Sequence, residues 1–281
     1  MAEHDDDVAK PARWMRYVPV PGRAEGFECR TIGTGPGVIL LHEFPGVMPT
    51  ARSFAEHLAT QGFQVVLPLL FGPQSVPPST RQRTRALLRL CVMREFKAFA
   101  LDADGEITEF LRSLAADLAE RTPGRGVGII GMCLTGGFAL AATIGSEDLV
   151  ATVVSQPSLP APITPARRRS VGVPAQRLRR FAEGVPAGEA CVLGLRYSRD
   201  RVSPDVRFAA LERHLGSAFE VFPLYSGADS IDGTPAEAHS ALTSRHPGLQ
   251  EYAARERTFE FLRERLLPAP AGSSTEPDAV M

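Results

Sequence analysis

The chain has 281 residues, of which 44% are hydrophobic and 22% are charged, and its formal net charge is −1. Such a chain can bury one large core, and its near-neutral charge excludes the strongly basic surface typical of proteins that bind nucleic acid or anionic membranes. We expect a single domain over residues 13–266, between disordered tails at 1–12 and 267–281 that are rich in small and polar residues or proline.

The ends and the cysteines bear on location and cofactors. No apolar run approaches the roughly 20 residues that cross a bilayer, and the start, MAEHDDDVAK, is acidic where a secretory signal is basic and then apolar. We therefore predict a cytoplasmic protein that binds no nucleic acid and no membrane. The four cysteines contain no CxxC pair, which argues against a metal knuckle and predicts that the protein uses neither a metal nor another cofactor.

Short apolar runs alternate along the chain with segments of helical spacing. The apolar runs predict buried strands at 37–43, 64–70, 126–132, 149–155, 190–196 and 218–224. The helical segments lie at 50–62, 107–121, 136–146 and 204–216. This alternation indicates an α/β fold with a mostly parallel, doubly wound sheet and helices on both faces.

Two segments interrupt the alternation. Residues 72–100 contain three prolines and then a cationic amphipathic run, TRQRTRALLRLCVMREF, which predicts a helix over the top of the sheet. Residues 156–189 are rich in proline and arginine, and we interpret them as an insertion or lid, with a solvated surface loop as the alternative.

The stretch GIIGMCLTGG places Cys133 between a predicted strand and a predicted helix. Gly131 and the pair Gly136 and Gly137 allow the sharp strand-to-helix reversal known as a nucleophile elbow. A thiol at a helix N-terminus is favoured as the thiolate. Cys133 is therefore the candidate nucleophile, and a buried structural thiol on an ordinary turn is the alternative.

A nucleophile requires a base, and the base requires an orienting group. Hydrolases with this elbow order them as nucleophile, acid and histidine along the chain. Asp200 follows one predicted strand and His239 follows the next, so both should lie at the edge of the sheet that carries Cys133. The competing acids are Asp205, Asp229 and Asp232, and the competing histidine is His246.

The segment LLHEFPG follows the first long buried strand. In this position, the backbone N–H of Phe44 can pair with that of Leu134 to stabilise an oxyanion. A zinc motif HExxH is excluded because Gly46 stands where the second histidine would be. Glu43 could take or hold the thiol proton, unless it is a solvated loop glutamate.

These four segments together resemble the dienelactone hydrolase family of α/β-hydrolases: GMCLTGG, HEFPG, SRDRVSP and AHS, in family order. The resemblance spans roughly residues 30 to 265. It implies that Cys133 is the nucleophile, His239 the base, Asp200 its partner, and Glu43 the carboxylate that helps to generate the thiolate. It also implies a cyclic enol ester substrate whose carboxylate is bound by arginines.

The sequence departs from the family pattern at two threonines. Thr135 replaces the second glycine of the simplest elbow, and Thr243 stands where the family usually has an arginine, about one turn after the histidine. Arg94 and Arg245 are the remaining candidates to bind a substrate carboxylate.

The sequence thus predicts a cysteine-dependent hydrolase of small esters or lactones, as a monomer or a homodimer. A general carboxylesterase or thioesterase with the same triad is one alternative. A non-catalytic protein that uses Cys133 to bind a ligand or to sense oxidation is another.

Overall fold

The computed structural model describes residues 13–44, 46–71, 105–245 and 247–268. The helix predicted within 72–100, together with Arg94, therefore lies outside the described residues, as do His246 and nearly all of both predicted tails.

The described residues form one eight-stranded sheet in the order β1-β2-β4-β3-β5-β6-β7-β8. Strands β1 and β2 and strands β2 and β4 pair antiparallel, and every other neighbouring pair is parallel. The strands are β1 Met15–Tyr17, β2 Cys29–Ile32, β3 Gly37–Leu41, β4 Gln64–Pro68, β5 Val127–Met132, β6 Leu149–Ser155, β7 Val192–Tyr197 and β8 Phe219–Leu224. All six predicted strands are present, which confirms the mostly parallel sheet.

Seven α-helices lie within the described part of the chain, numbered here in chain order. They are α1 Pro49–Thr60, α2 Glu106–Arg121, α3 Gly136–Thr143, α4 Pro165–Arg169, α5 Ala175–Glu183, α6 Asp205–Leu215 and α7 Leu249–Leu266. None of them is both long enough and apolar enough to cross a membrane.

The central strands are buried on both faces, as β3 illustrates. Its residues alternate between two cores because successive side chains of a strand point to opposite faces. Ile39 and Leu41 belong to a core that also contains buried residues of α2, α3, α5 and α6. Val38 and Leu40 belong to a second core, which α1 and α7 cover. The helices therefore cover both faces of the sheet, as predicted.

Several elements were not predicted from the sequence. β1 and β2 have only 3 and 4 residues, too few to show a period. Helix α7 begins in a charged stretch and buries its apolar side chains mainly in its second half, so its pattern is weak. The segment 156–189, interpreted as an insertion or loop, contains helices α4 and α5.

The carboxyl ends of β3, β5 and β6 lie side by side. Leu41 of β3 pairs with Gly131 of β5, and Met132 of β5 pairs with Ser155 of β6. The chain leaves all three strands at the same edge of the sheet, where parallel α/β folds place their ligands. The turns that follow Leu41, Met132 and Ser155 consequently adjoin one another.

Gly131 controls how closely α3 approaches β5. A Cβ atom at this position would lie 2.6 Å from both the Ala139 Cβ and the Thr135 carbonyl oxygen, and 2.8 Å from the Gly136 Cα. Two of these atoms belong to the backbone and cannot move aside like the end of a flexible side chain. Only glycine fits here without displacing the turn.

We expect Gly131→Ala to lower the free energy of unfolding by about 1–3 kcal/mol, the usual cost of overpacking a core. Gly184→Ala is the matched control, because a Cβ at Gly184 meets nothing closer than 3.5 Å and its φ is not positive. Urea denaturation of both variants measures the difference. Equal stability of the two variants would contradict the packing argument.

Candidate active site

Cys133 occupies a strained backbone conformation between β5 and α3. Its φ is +53°, in the left-handed region that a residue with a Cβ rarely adopts. It begins a 3-10 turn, Cys133–Thr135, that leads directly into α3. Its side chain is partly exposed, whereas Met132 and Leu134 on either side are buried. Holding a residue in this conformation costs on the order of 1–3 kcal/mol, and here it leaves the partly exposed thiol at the margin of the core.

Thr135 connects the elbow to the end of β3. Its hydroxyl oxygen accepts a hydrogen bond from the Met132 N–H at 3.0 Å. The same oxygen lies 2.9 Å from the carbonyl oxygen of Met132 and 3.3 Å from that of His42. Because Thr135 is fully buried, these contacts fix the turn after β3 against the turn after β5.

Asp200 and His239 are brought together although 39 residues separate them. The Nδ1 atom of His239 lies 2.6 Å from Oδ2 of Asp200. The other carboxylate oxygen, Oδ1, accepts hydrogen bonds from the backbone N–H groups of Val202 at 2.8 Å and Ser203 at 3.0 Å. Hydrogen bonds to both oxygens thus hold the Asp200 carboxylate in place, and the carboxylate orients the imidazole ring of His239.

Burial and hydrogen bonding act in opposite directions on this pair. Burial opposes ionisation of Asp200, but its hydrogen bonds outweigh burial and hold its pKa below the usual value. Burial also opposes protonation of His239, but Asp200 and the Cys133 thiol outweigh it and raise its pKa to about 10. The ring is therefore cationic near neutral pH.

The second ring nitrogen of His239, Nε2, is buried and makes no hydrogen bond of normal geometry to a described residue. The Cys133 sulfur nevertheless lies near enough to raise the pKa of the ring. The imidazole is consequently placed between the Asp200 carboxylate and the thiol.

The competing residues lie elsewhere or have other roles. Asp205 is the first residue of α6, and Asp229 forms an ion pair with Arg199 at 3.0 Å. Asp232 accepts a hydrogen bond from Ser230. Of the acidic candidates, Asp200 is the one that contacts His239 within the described residues.

The Glu43 carboxylate is held by three neutral donors. Its Oε1 accepts from the Gln156 side-chain amide at 2.8 Å, and its Oε2 accepts from the hydroxyls of Ser240 at 3.1 Å and Thr243 at 2.8 Å. Thr243, at the family's arginine position, is one of them. Among the described residues Glu43 makes no hydrogen bond to Cys133.

The backbone N–H groups proposed for the oxyanion lie on adjoining turns. Phe44 follows β3 by three residues, and Leu134 follows β5 by two. Within the described chain, neither N–H donates to a side chain or across a turn.

A cleft of about 640 Å³ opens beside His239. Glu43, Phe44 and His239 form part of its wall, and Arg245 lies at its exposed rim. Arg245 forms no ion pair with a described residue. Cys133 is not among the described residues that line this cleft.

Sequence reasoning missed Gln156, Ser158 and Arg207. The Gln156 side chain is fully buried at a φ of +38° and binds Glu43, and Ser158 contacts Cys133. Arg207 is fully buried and donates to the carbonyl oxygens of Pro157 and Pro160. The sequence signal that could have identified Gln156 and Ser158 is the segment SQPS at the end of a buried parallel strand, because residues at this edge of a parallel sheet face ligands.

No group of three or more His, Cys, Asp or Glu side chains that could hold a metal ion is present in the described ranges. The polar residues of the site form instead separate hydrogen-bonded groups that contain one thiol, one imidazole and two carboxylates. This arrangement is suited to nucleophilic and acid–base chemistry.

The fold and the elbow define an α/β-hydrolase. The sequence profile of the dienelactone hydrolase family matches residues 27–176, more than half of the chain. The chain therefore belongs to the dienelactone hydrolase family and is an ester-cleaving hydrolase. No curated protein sequence matches it significantly.

Solved structures share the fold at low sequence identity. A candidate dienelactone hydrolase from Klebsiella pneumoniae subsp. pneumoniae is 16% identical with a TM-score of 0.63, over 91% of this chain and 100% of that one. A dienelactone hydrolase-like promiscuous phosphotriesterase from metagenomic libraries is 15% identical with a TM-score of 0.58, over 92% and 100%. A cold-adapted esterase from an Arctic intertidal metagenomic library is 14% identical with a TM-score of 0.53, over 92% and 95%.

The raised pKa of His239 makes stability depend on pH. Between the ordinary value of 6.5 and the folded value of about 10, the folded state binds a proton that the unfolded chain has lost. This contribution is fully present below pH 6.5 and is lost as pH rises towards 10. We expect the stability advantage of wild type over His239→Asn to shrink between pH 6 and pH 9.5 by more than about 1.4 kcal/mol, the equivalent of one pKa unit.

Urea denaturation of both proteins at several pH values in this window measures the effect. An advantage of wild type that does not change with pH would show that His239 is not held protonated by Asp200 and Cys133.

Proposed function

We propose that the protein hydrolyses small esters or lactones through a thioester formed on Cys133. His239 serves as the acid and base, and Asp200 orients it. The backbone N–H groups of Phe44 and Leu134 stabilise the oxyanion. The single observation that carries this proposal is the position of the His239 ring, hydrogen-bonded to Asp200 on one side and close to the Cys133 sulfur on the other.

The first half of the reaction forms the thioester. The Cys133 thiolate, paired with the cationic ring of His239, attacks the carbonyl carbon and places the negative charge on the carbonyl oxygen, where the two N–H groups receive it. The tetrahedral intermediate then collapses. The bond to the leaving oxygen breaks, and His239 donates its proton to that oxygen.

The second half releases the acid. His239, now neutral, takes a proton from a water molecule as the water attacks the thioester carbonyl. The carbon–sulfur bond breaks, the thiolate leaves, and the imidazole is again cationic beside it. Water is consumed and one carboxylic acid and one alcohol or enol are formed, so the enzyme returns to its starting state.

Glu43 is a second candidate acceptor for the thiol proton, as the family resemblance implies. The transfer would require its Oε2 to leave Ser240 or Thr243, the two hydroxyls that hold it. His239 requires no such rearrangement. We therefore assign the resting proton to His239 and treat Glu43 as a fixed carboxylate at the cleft wall.

The alternatives use the same residues. A general carboxylesterase or thioesterase would differ in the cleft and not in the chemistry, so the substrate range separates it from a lactone hydrolase. A redox sensor would need the thiol alone. The hydrogen bond between Asp200 and His239 favours catalysis, because oxidation of a thiol requires no oriented base.

We expect Cys133→Ala and Cys133→Ser to fold as wild type does and to lose nearly all activity on a panel of lactones and aryl esters. His239→Ala should lower turnover by about a hundredfold or more, the scale for loss of a positioned proton carrier. Cys191→Ala is the matched control, since Cys191 is a buried free thiol in another part of the fold. Initial rates and far-UV circular dichroism of each variant provide the measurements.

Full activity of Cys133→Ala would exclude the proposed mechanism. The ratio of lactone to aryl ester rates in wild type separates the two esterase alternatives.

Arg245 allows a test of substrate charge. If its guanidinium binds a carboxylate of the substrate, Arg245→Ala should raise KM for an anionic lactone by roughly tenfold or more, because a charge-assisted hydrogen bond contributes about 1.5–3 kcal/mol. Hydrolysis of neutral 4-nitrophenyl acetate should be almost unchanged.

Arg16→Ala serves as the control, because Arg16 is exposed on β1 and does not line the cleft. Arg94→Ala, measured beside it, tests the other predicted arginine. Equal small effects of Arg245→Ala on both substrates would show that Arg245 does not bind the substrate.

A further inference from the structure

Ser158 is the described side chain that hydrogen-bonds to the Cys133 sulfur. Its hydroxyl oxygen lies 3.4 Å from the Sγ atom, and either atom could donate the hydrogen bond. The residue is 8% exposed. No other hydrogen-bond partner of this hydroxyl is found within the described ranges. A nearly buried hydroxyl whose described partner is a reactive thiol requires a functional explanation, since sulfur is a weak partner for a group that has given up water.

The backbone holds Ser158 in this position. The Ser158 N–H donates a hydrogen bond to the carbonyl oxygen of Cys133 at 2.9 Å. The two residues are thus linked by their main chains as well as by their side chains. Pro157, the preceding residue, also touches the elbow, because a Cβ atom built on Gly136 would lie 3.0 Å from its Cβ. The segment after β6 is therefore packed directly against the nucleophile turn.

A buried arginine anchors the same segment. Arg207 of α6 is fully buried, and its guanidinium donates to the carbonyl oxygens of Pro157 and Pro160, on either side of Ser158. It also donates to the carbonyl oxygen of Arg167 in α4 at 3.0 Å. These hydrogen bonds fix the position of residues 157–160 relative to the edge of the sheet. They therefore also fix the position of the Ser158 hydroxyl.

We propose that Ser158 is a further catalytic residue, whose hydroxyl donates a hydrogen bond to the Cys133 thiolate. This inference rests on the proposed role of Cys133 as the nucleophile. A thiolate can only accept, so in the ionised state the hydroxyl is the donor. The bond stabilises the thiolate in the free enzyme and again when it leaves the thioester.

Such a bond has two opposing effects on the thiol. It increases the fraction of thiolate at low pH, but it makes the thiolate less nucleophilic, with a Brønsted coefficient of about 0.4–0.5. A hydrogen bond to a charged group can change the acid dissociation constant of the thiol by about tenfold. The observed rate of reaction of the thiol should therefore change by roughly three- to fourfold, upwards at low pH and downwards at high pH.

The test measures the rate constant for alkylation of Cys133 by iodoacetamide between pH 4.5 and pH 10, with the labelled peptide quantified by mass spectrometry. We expect Ser158→Ala to react about threefold more slowly than wild type on the acidic side and about threefold faster on the alkaline plateau, so that the two profiles cross. Ser158→Thr, which retains the hydroxyl, should restore the wild-type profile. Ser113→Ala is the matched control, because Ser113 is a half-buried serine of α2 whose hydroxyl accepts a hydrogen bond from the Ala24 N–H, outside the site.

A merely structural role of Ser158 would displace the profile in one direction at every pH. Such a parallel displacement, an unchanged profile, or the same crossing in Ser113→Ala would overturn the proposal. If Cys133→Ala loses activity and any of these results is also observed, only the proposed role of Ser158 is refuted. Full activity of Cys133→Ala refutes the proposed nucleophile and removes the reaction that Ser158 would assist.

Discussion

The left-handed backbone of Cys133 is the constraint on which the rest of the site depends. A residue with a Cβ adopts a φ of +53° only where its surroundings enforce it. Here Gly131 lets the start of α3 lie against β5, and the buried Thr135 hydroxyl ties the turn to the ends of β3 and β5. The packing of two cores offsets the cost of the strained residue, and the Cys133 side chain remains partly exposed at the margin of the first core.

Among the described residues, hydrogen bonds and not ion pairs with Lys or Arg hold the carboxylates around that thiol. Asp200 is held by two backbone N–H groups and by His239, and Glu43 is held by one amide and two hydroxyls. Buried carboxylates require such partners, because removal from water without them is costly. A carboxylate whose oxygens are already occupied cannot turn freely towards the substrate, so the geometry of the site is set before a ligand enters.

The two departures from the family pattern have local structural explanations. Thr135 does not disturb the elbow, because its backbone is right-handed helical, with φ −85° and ψ −9°, and does not require glycine. Its hydroxyl makes polar contacts with the ends of β3 and β5. Thr243 provides a neutral hydroxyl to Glu43 where the family usually has a cation. Among the described residues Glu43 consequently forms no ion pair with an arginine, and Arg245 is the described arginine that lines the cleft.

The six strands β3 to β8, the helices α1, α2, α3 and α6, and the positions of Cys133 and Asp200 just after strands could be predicted from the sequence. They depend on local patterns: continuous apolar runs, glycines at a sharp turn, and polar residues directly after a strand. The contacts of Gln156 and Ser158 could not, because Gln156 is 113 residues from Glu43 and Ser158 is 25 residues from Cys133. Such contacts arise only when β3, β5 and β6 pair in one sheet and Arg207 fixes the chain that leaves it. The strand order and the path of that loop are decided by packing across the whole fold, and no local pattern encodes them.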